Sequence, residues 1–126
     1  MEPLVIKKTR VSPEVNFDNN TGVLSLKGMS LMENPFEFYE PLIKWLEEYV
    51  KSPAEKTVFN FRLIYFNSAS MVNISRILRL LSNMYAQGRD VIVRWYYDEH
   101  DPNIMDYGKE LEELYKIPFE LVVIKK

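Results

Sequence analysis

Apolar residues alternate along this chain between two periods. Leu4–Val5–Ile6 opens a first extended segment. Val15–Asn16–Phe17 and Val23–Leu24–Ser25–Leu26 switch between apolar and polar at every residue, the period of a strand with one buried face. Asp18–Asn19–Asn20–Thr21–Gly22 between them is dense in turn formers, so the two runs predict a hairpin. Pro13 predicts that its first strand starts late or lies at a sheet edge. Gly28 to Glu33 reads as a connector. Val58 to Phe66 is the most apolar strand, with Phe59, Phe61 and Leu63 on one face and Val58, Ile64 and Phe66 on the other. Such a strand is expected to be central, with helices covering at least part of each side. Asp90 to Tyr96 and Phe119 to Ile124 predict two further strands.

Between the strands the period changes to that of a helix. Asn34 has the chemistry of an N-cap, Pro35 suits the first helical position, and Glu37 sits where a capping box would place it. Tyr39, Leu42, Ile43, Leu46 and Val50 then recur at helical spacing, flanked by Phe38, Trp45 and Tyr49. Trp45 is expected in core or rim packing. A second helix carries Ile74, Ile77, Leu78, Leu81 and Tyr85 on one stripe, with Val72, Arg76, Arg79 and Asn83 opposite, and stops at Gln87–Gly88. A third starts at Asp101–Pro102 and carries Ile104, Gly108, Leu111 and Tyr115 on one face. Gly108 costs about 1 kcal/mol in a helix interior relative to Ala, so it either permits close packing or weakens the helix. The order is hairpin, α, β, α, β, α, β. This predicts an α/β fold with a mixed sheet, about three main helices and right-handed crossovers in its later part.

The chain has 126 residues, the size of one domain, expected to span 1–126. Its net charge of −2 gives no electrostatic case for nucleic acid or an anionic membrane. With no cysteine, disulfides, thiol catalysis and Cys-ligated zinc are excluded. No apolar run approaches the roughly 18 residues of a spanning helix. Met1–Glu2–Pro3 lacks the layout of a signal peptide, so a cytoplasmic protein is expected.

Enzyme chemistry finds little support. Four glycines leave no phosphate-binding loop. The one histidine, His100, stands in Asp98–Glu99–His100–Asp101, a stretch that reads as a solvated helix start. A small metal-dependent enzyme built on Asp98, His100 and Glu33 is a distant alternative. Glu110, Glu112 and Glu113 read as a wet helix face. Hydroxyls and a carboxamide crowd one strand-to-helix junction, Tyr65–Phe66–Asn67–Ser68–Ala69–Ser70. In α/β sheets, sites gather where strands end and helices begin. Capping the helix uses one of Asn67, Ser68 and Ser70 and leaves hydroxyls to spare.

Several spaced motifs carry a resemblance over nearly the whole chain. They are Thr9–Arg10–Val11–Ser12–Pro13–Glu14–Val15–Asn16–Phe17, Glu33–Asn34–Pro35–Phe36–Glu37–Phe38–Tyr39–Glu40–Pro41 with Trp45–Leu46, the 65–70 junction, Trp95–Tyr96–Tyr97–Asp98 and Asp106–Tyr107–Gly108. In these the chain resembles the SiaC family of bacterial regulatory phosphoproteins. The resemblance implies a STAS-like fold and a non-enzymatic partner switch in cyclic-di-GMP and biofilm signalling, without cofactor or metal. The family's phosphoacceptor hydroxyl, most often threonine, follows the junction Asn. That position is Ser68 here, and the commonly serine position after it is Ala69. The implied partners are a histidine-kinase-like serine/threonine kinase, a PP2C-like phosphatase and a diguanylate cyclase activated by the unmodified form. Tyr65, Phe66, Asn67, Ser68, Ser70 and Met71 are the expected partner-binding residues. An anti-sigma factor antagonist-like binder with the same switch is the alternative.

Overall fold

A computed structural model describes residues 1–125. Its elements are β1 (Leu4–Ile6), β2 (Glu14–Asp18), β3 (Val23–Ser30), α1 (Pro35–Tyr49), β4 (Lys56–Phe66), α2 (Ser68–Ala86), β5 (Asp90–Asp98), α3 (Pro102–Tyr115) and β6 (Phe119–Ile124). The six strands form one sheet in sequence order. β1–β2 and β2–β3 pair antiparallel, and β3–β4, β4–β5 and β5–β6 pair parallel, so the mixed α/β architecture expected from the pattern is the one found. β2 starts just after Pro13, and the short β1 takes the edge beside it. Gly28, Met29 and Ser30 belong to β3 rather than to a connector.

The helices all lie on one face, which corrects the expectation that they cover both. From β3 to β6 every step across the sheet runs in one direction. A right-handed crossover puts its helix on a fixed side for a given direction, so three such steps stack α1, α2 and α3 together. The buried strand residues form cross-sheet rows on that side. Phe17, Leu24, Phe59 and Val93 are register neighbours in one row, and Val15, Leu26, Phe61 and Trp95 in the next. Leu42, Leu46, Ile74, Ile77, Leu78 and Leu81 close over them from the helices. The opposite face of β4 presents Asn60, Arg62 and Ile64, and Ile64 is 68% exposed.

A one-residue irregularity explains why Phe66 reads as part of the open face of β4 but is not on it. Gly28 pairs with Leu63 but Met29 pairs with Tyr65, so Ile64 is an extra residue in β4. An inserted residue reverses the side-chain alternation beyond it. Phe66 therefore turns to the helix side, edge-on to Trp95 and Tyr107.

Three local readings change as well. Asn34 occupies the N-cap position of α1 but makes no side-chain cap bond. At the end of α2 the buried place goes to Met84, beside Val50 and Leu80, and Tyr85 is exposed. Gly108 serves close packing: a Cβ there would lie 2.4 Å from Trp95 Cδ1. Trp95 Nε1–H donates to Ile104 O at 2.8 Å, fastening α3 to β5. Trp45 packs between Phe17 and Tyr49 at the rim.

Candidate functional site

The junction between β4 and α2 is built around Asn67. Its backbone is extended, and its Oδ1 accepts from Ser70 N–H at 2.8 Å, the bond of an N-cap. Its own N–H donates to Ser30 O at 3.1 Å, and its Nδ2 donates to Met32 O at 3.3 Å. One side chain thus caps α2 and ties it to the end of β3 and the connector before α1.

Ser68 is the first residue of α2 and is exposed. A helix leaves its earliest N–H groups without intrahelical acceptors. Here the Asn67 amide goes to Ser30 O and the Ser70 amide to Asn67 Oδ1. The amides of Ser68 and Ala69 are the remaining two of these early N–H groups. α2 has no acidic residue in its first turn. The positive end of its dipole is therefore unneutralised where Ser68 stands.

Ser70 and Met71 differ from the expectation that they face a partner. Ser70 is fully buried, and Met71 is 9% exposed. The third and fourth residues of a helix resting on a sheet turn inward, and these two do. Ser70 instead ends a chain of buried hydroxyls. Ser70 Oγ–H donates to Ser30 O at 3.0 Å, and Ser30 Oγ–H donates to Ser70 Oγ at 2.7 Å. The Ser30 proton is thereby used, so Tyr39 O–H donates to Ser30 Oγ, 2.7 Å away. Burial raises the Tyr39 pKa to about 12. The hydroxyl stays protonated, as the chain of donors requires.

Tyr65 is exposed, while Phe66 and Asn67 are half-buried. The surface also extends to two residues that the sequence reading passed over. Val72, one turn beyond Ser68 on α2, is 65% exposed, and Phe36 on α1 is 56% exposed. The Arg76 guanidinium lies 5.2 Å from the Phe36 ring centroid and pairs with Glu40 at 3.1 Å. The signal available in the sequence was a valine on the polar side of the α2 pattern and a phenylalanine in the first turn of α1.

The acidic stretch before α3 does other work. Asp101 Oδ1 caps α3 by accepting from Ile104 N–H at 3.3 Å, and Asp98 Oδ1 accepts from His100 N–H at 2.8 Å. His100 is exposed, with Nε2 3.4 Å from Glu99 Oε1. Glu33 is exposed in the connector before α1. Glu112, read as part of a wet face, accepts from Phe119 N–H at 2.8 Å and holds the start of β6. Among the described residues no three His, Cys, Asp or Glu side chains gather as a metal set. Among them too, no helix is long and apolar enough to cross a membrane.

Fold and junction define a two-layer α/β domain whose most elaborated surface is a capped helix start bearing an exposed hydroxyl. The model of the family described as SiaC family regulatory phosphoprotein matches residues 6–124, and the chain belongs to that family. It is 31% identical over 121 residues to a Pseudomonas aeruginosa (strain UCBPP-PA14) protein described as uncharacterized, covering 96% of each chain. Apo-SiaC from Pseudomonas aeruginosa superposes with a TM-score of 0.87 at 29% identity, over 97% of this chain and 99% of that one. The structure of the diguanylate cyclase SiaD in complex with its activator SiaC, from the same organism, matches with a TM-score of 0.90 at 30% identity, over 96% of this chain and 99% of the matched one.

Proposed function

We propose that this protein is a non-enzymatic, cytoplasmic partner switch acting as one unit over residues 1–126, gated by reversible phosphorylation of Ser68. Its unmodified form binds and activates a diguanylate cyclase. A histidine-kinase-like serine/threonine kinase adds the phosphate and a PP2C-like phosphatase removes it. The observation that carries this reading is the exposed Ser68 hydroxyl on the first residue of a capped helix with no acid in its first turn. Membership of a family of regulatory phosphoproteins supports it, as does the complex of the related SiaC with a cyclase.

A phosphate on Ser68 brings about −1.5 to −2 charges and three acceptor oxygens. Within the protein it meets the early amides of α2 and the positive dipole end, a favourable term of roughly 0.3–1 kcal/mol. The fold accommodates it without rearrangement. A partner covering Ser68 and exposed apolar side chains such as Tyr65 and Val72 meets new charge and bulk. Burying that charge unpaired costs several kcal/mol. The switch then works by occlusion.

The test is incubation with the cognate kinase and ATP, with phosphate mapped by mass spectrometry and cyclase output measured alongside. Label confined to Ser68, its absence in Ser68→Ala, and cyclase activation by the unmodified protein alone are expected. Label elsewhere, or equal activation by both forms, rules the proposal out.

A further inference from the structure

The open face of the sheet carries a second constellation. Lys27 on β3 and Arg62 on β4 are direct register partners, pointing side by side away from the helices. Like charges directly opposite one another on a sheet are destabilising. Neither is offset by an ion-pair partner among the described residues. The Arg62 guanidinium lies 5.5 Å from the Tyr96 ring centroid, which holds it flat on the sheet. On one side of this pair is a cavity of about 190 Å³, whose apolar wall is made by Ile64, Tyr97, Ile104 and Ile124. On the other is a hollow of about 170 Å³, on whose wall stands Asn60. Asn60 Oδ1 is buried there without a hydrogen-bond partner.

Charge is distributed unevenly along the larger cavity. Lys27 and Arg62 stand at the β3–β4 end, and Asp98 and Asp101 at the α3 end. Beyond Ile64, a further hollow of about 450 Å³ is lined by Lys8 and Arg10. Cations thus collect around one exposed isoleucine on a chain whose net charge is −2. A planar guanidinium beside an ammonium suits a doubly charged oxyanion, which the guanidinium grips through two parallel N–H groups. The apolar wall suits a carbon body.

We propose that this cavity binds a small phosphate monoester. Its phosphate rests on Lys27 and Arg62, and its apolar or aromatic body lies against Ile64, Ile104 and Ile124. The site lies between the open-face side chains of β3 and β4 and the start of α3, and does not rest on the reading of Ser68.

The test is a titration of the unphosphorylated full chain with p-nitrophenyl phosphate, followed by amide chemical shifts. Inorganic phosphate and p-nitrophenol serve as comparisons. Saturable shifts centred on Lys27, Arg62, Ile64 and Tyr97 are expected, with both comparison compounds binding more weakly there. Loss of one charge-assisted contact in Arg62→Gln or Lys27→Gln is expected to weaken binding at least about tenfold. Arg89→Gln, at the far end of the α2–β5 connection, leaves it unchanged. Both test positions are on the surface, and their amide spectra report whether the fold is kept. Shifts centred elsewhere, equal affinity for inorganic phosphate or p-nitrophenol, or unchanged affinity in both test variants overturns the proposal.

Discussion

The starts of α2 and α3 follow one plan and differ in charge. Each follows a parallel strand, and each is capped by a side-chain oxygen three residues before the amide it accepts from. At α3 the cap is a carboxylate, Asp101, with Asp98 and Glu99 just before it. At α2 the cap is the neutral Asn67; neither helix has an acid in its first turn, so the cap and the residues before it make the difference. Both helices present a positive dipole end and early N–H groups. The protein fills that demand for negative charge at α3 and leaves it open at α2. An exposed serine at the open one is a place where added phosphate is tolerated by the fold and felt by whatever docks. The same serine at α3 would add charge to charge.

The two starts also differ beneath the surface. α2 is tied down by the Tyr39–Ser30–Ser70 hydroxyl chain, whereas α3 is tied by an indole, Trp95, donating to Ile104 O. The Tyr39 phenol titrates at high pH and the indole does not.

The largest effect separating the two is expected in cyclase capture. Ser68→Glu places charge at the centre of the proposed contact and is expected to weaken binding roughly 100-fold, about 2.8 kcal/mol. Asn103→Glu, the matched change in the first turn of α3, is expected to leave capture as it is. Equal losses in the two variants, measured by titration with the cyclase, break the comparison.

Alkaline pH should act on the α2 side. The Tyr39 pKa is about 12 in the folded protein, against an ordinary value of 10. Between those values the unfolded chain has lost a proton that the folded one keeps, so folding stability falls as pH rises. The contribution is fully present below pH 10, and about 2–3 kcal/mol of it is lost by pH 12. Denaturant unfolding at pH 9 and pH 11 measures this, and Tyr39→Phe should flatten the slope.

Removing the caps gives smaller changes. Asn67→Ala loses the 2.8 Å cap and the bond to Met32 O and is expected to cost about 2 kcal/mol. Asp101→Ala loses a longer cap bond of 3.3 Å and is expected to cost about 1 kcal/mol. Thermal unfolding of the pair checks the ranking. The smallest effect tests the open charge directly. Ala69→Asp puts an acid in the first turn of α2 and is expected to add about 0.3–1 kcal/mol of stability. Asn103→Asp, beside the carboxylate cap Asp101, should add less.

Much of this was legible from residue pattern. The hairpin around 18–22, the alternation of helices with strands from residue 35 onward, and the crowded junction at 65–70 follow from period and turn chemistry. Ile64 shows where pattern stops. Read in two-residue steps, Val58, Ile64 and Phe66 look like a second apolar face. Ile64 does lie on the open face, but one extra residue turns Phe66 to the helix side, half-buried against the core, and no propensity marks it. Ser70 and Met71 show the same limit. Adjacency to Ser68 suggests a shared surface, but the helix rotates them inward by its third residue. Phe36 and Val72, which the sequence did not mark as partner-binding, are the more exposed apolar side chains instead.

Local sequence, then, determined which segments are strands, which are helices, and that Asn67 ends one and starts the other, because these depend on side-chain period and on backbone groups a few residues apart. Tertiary structure decided that all three helices share one face, that Ser68 is outward while Ser70 is sealed beneath it, and that Lys27 and Arg62 stand side by side. Those outcomes depend on strand order, crossover hand and register, which join residues up to forty positions apart, as Ser30 and Ser70 are, and leave no periodic trace in the chain.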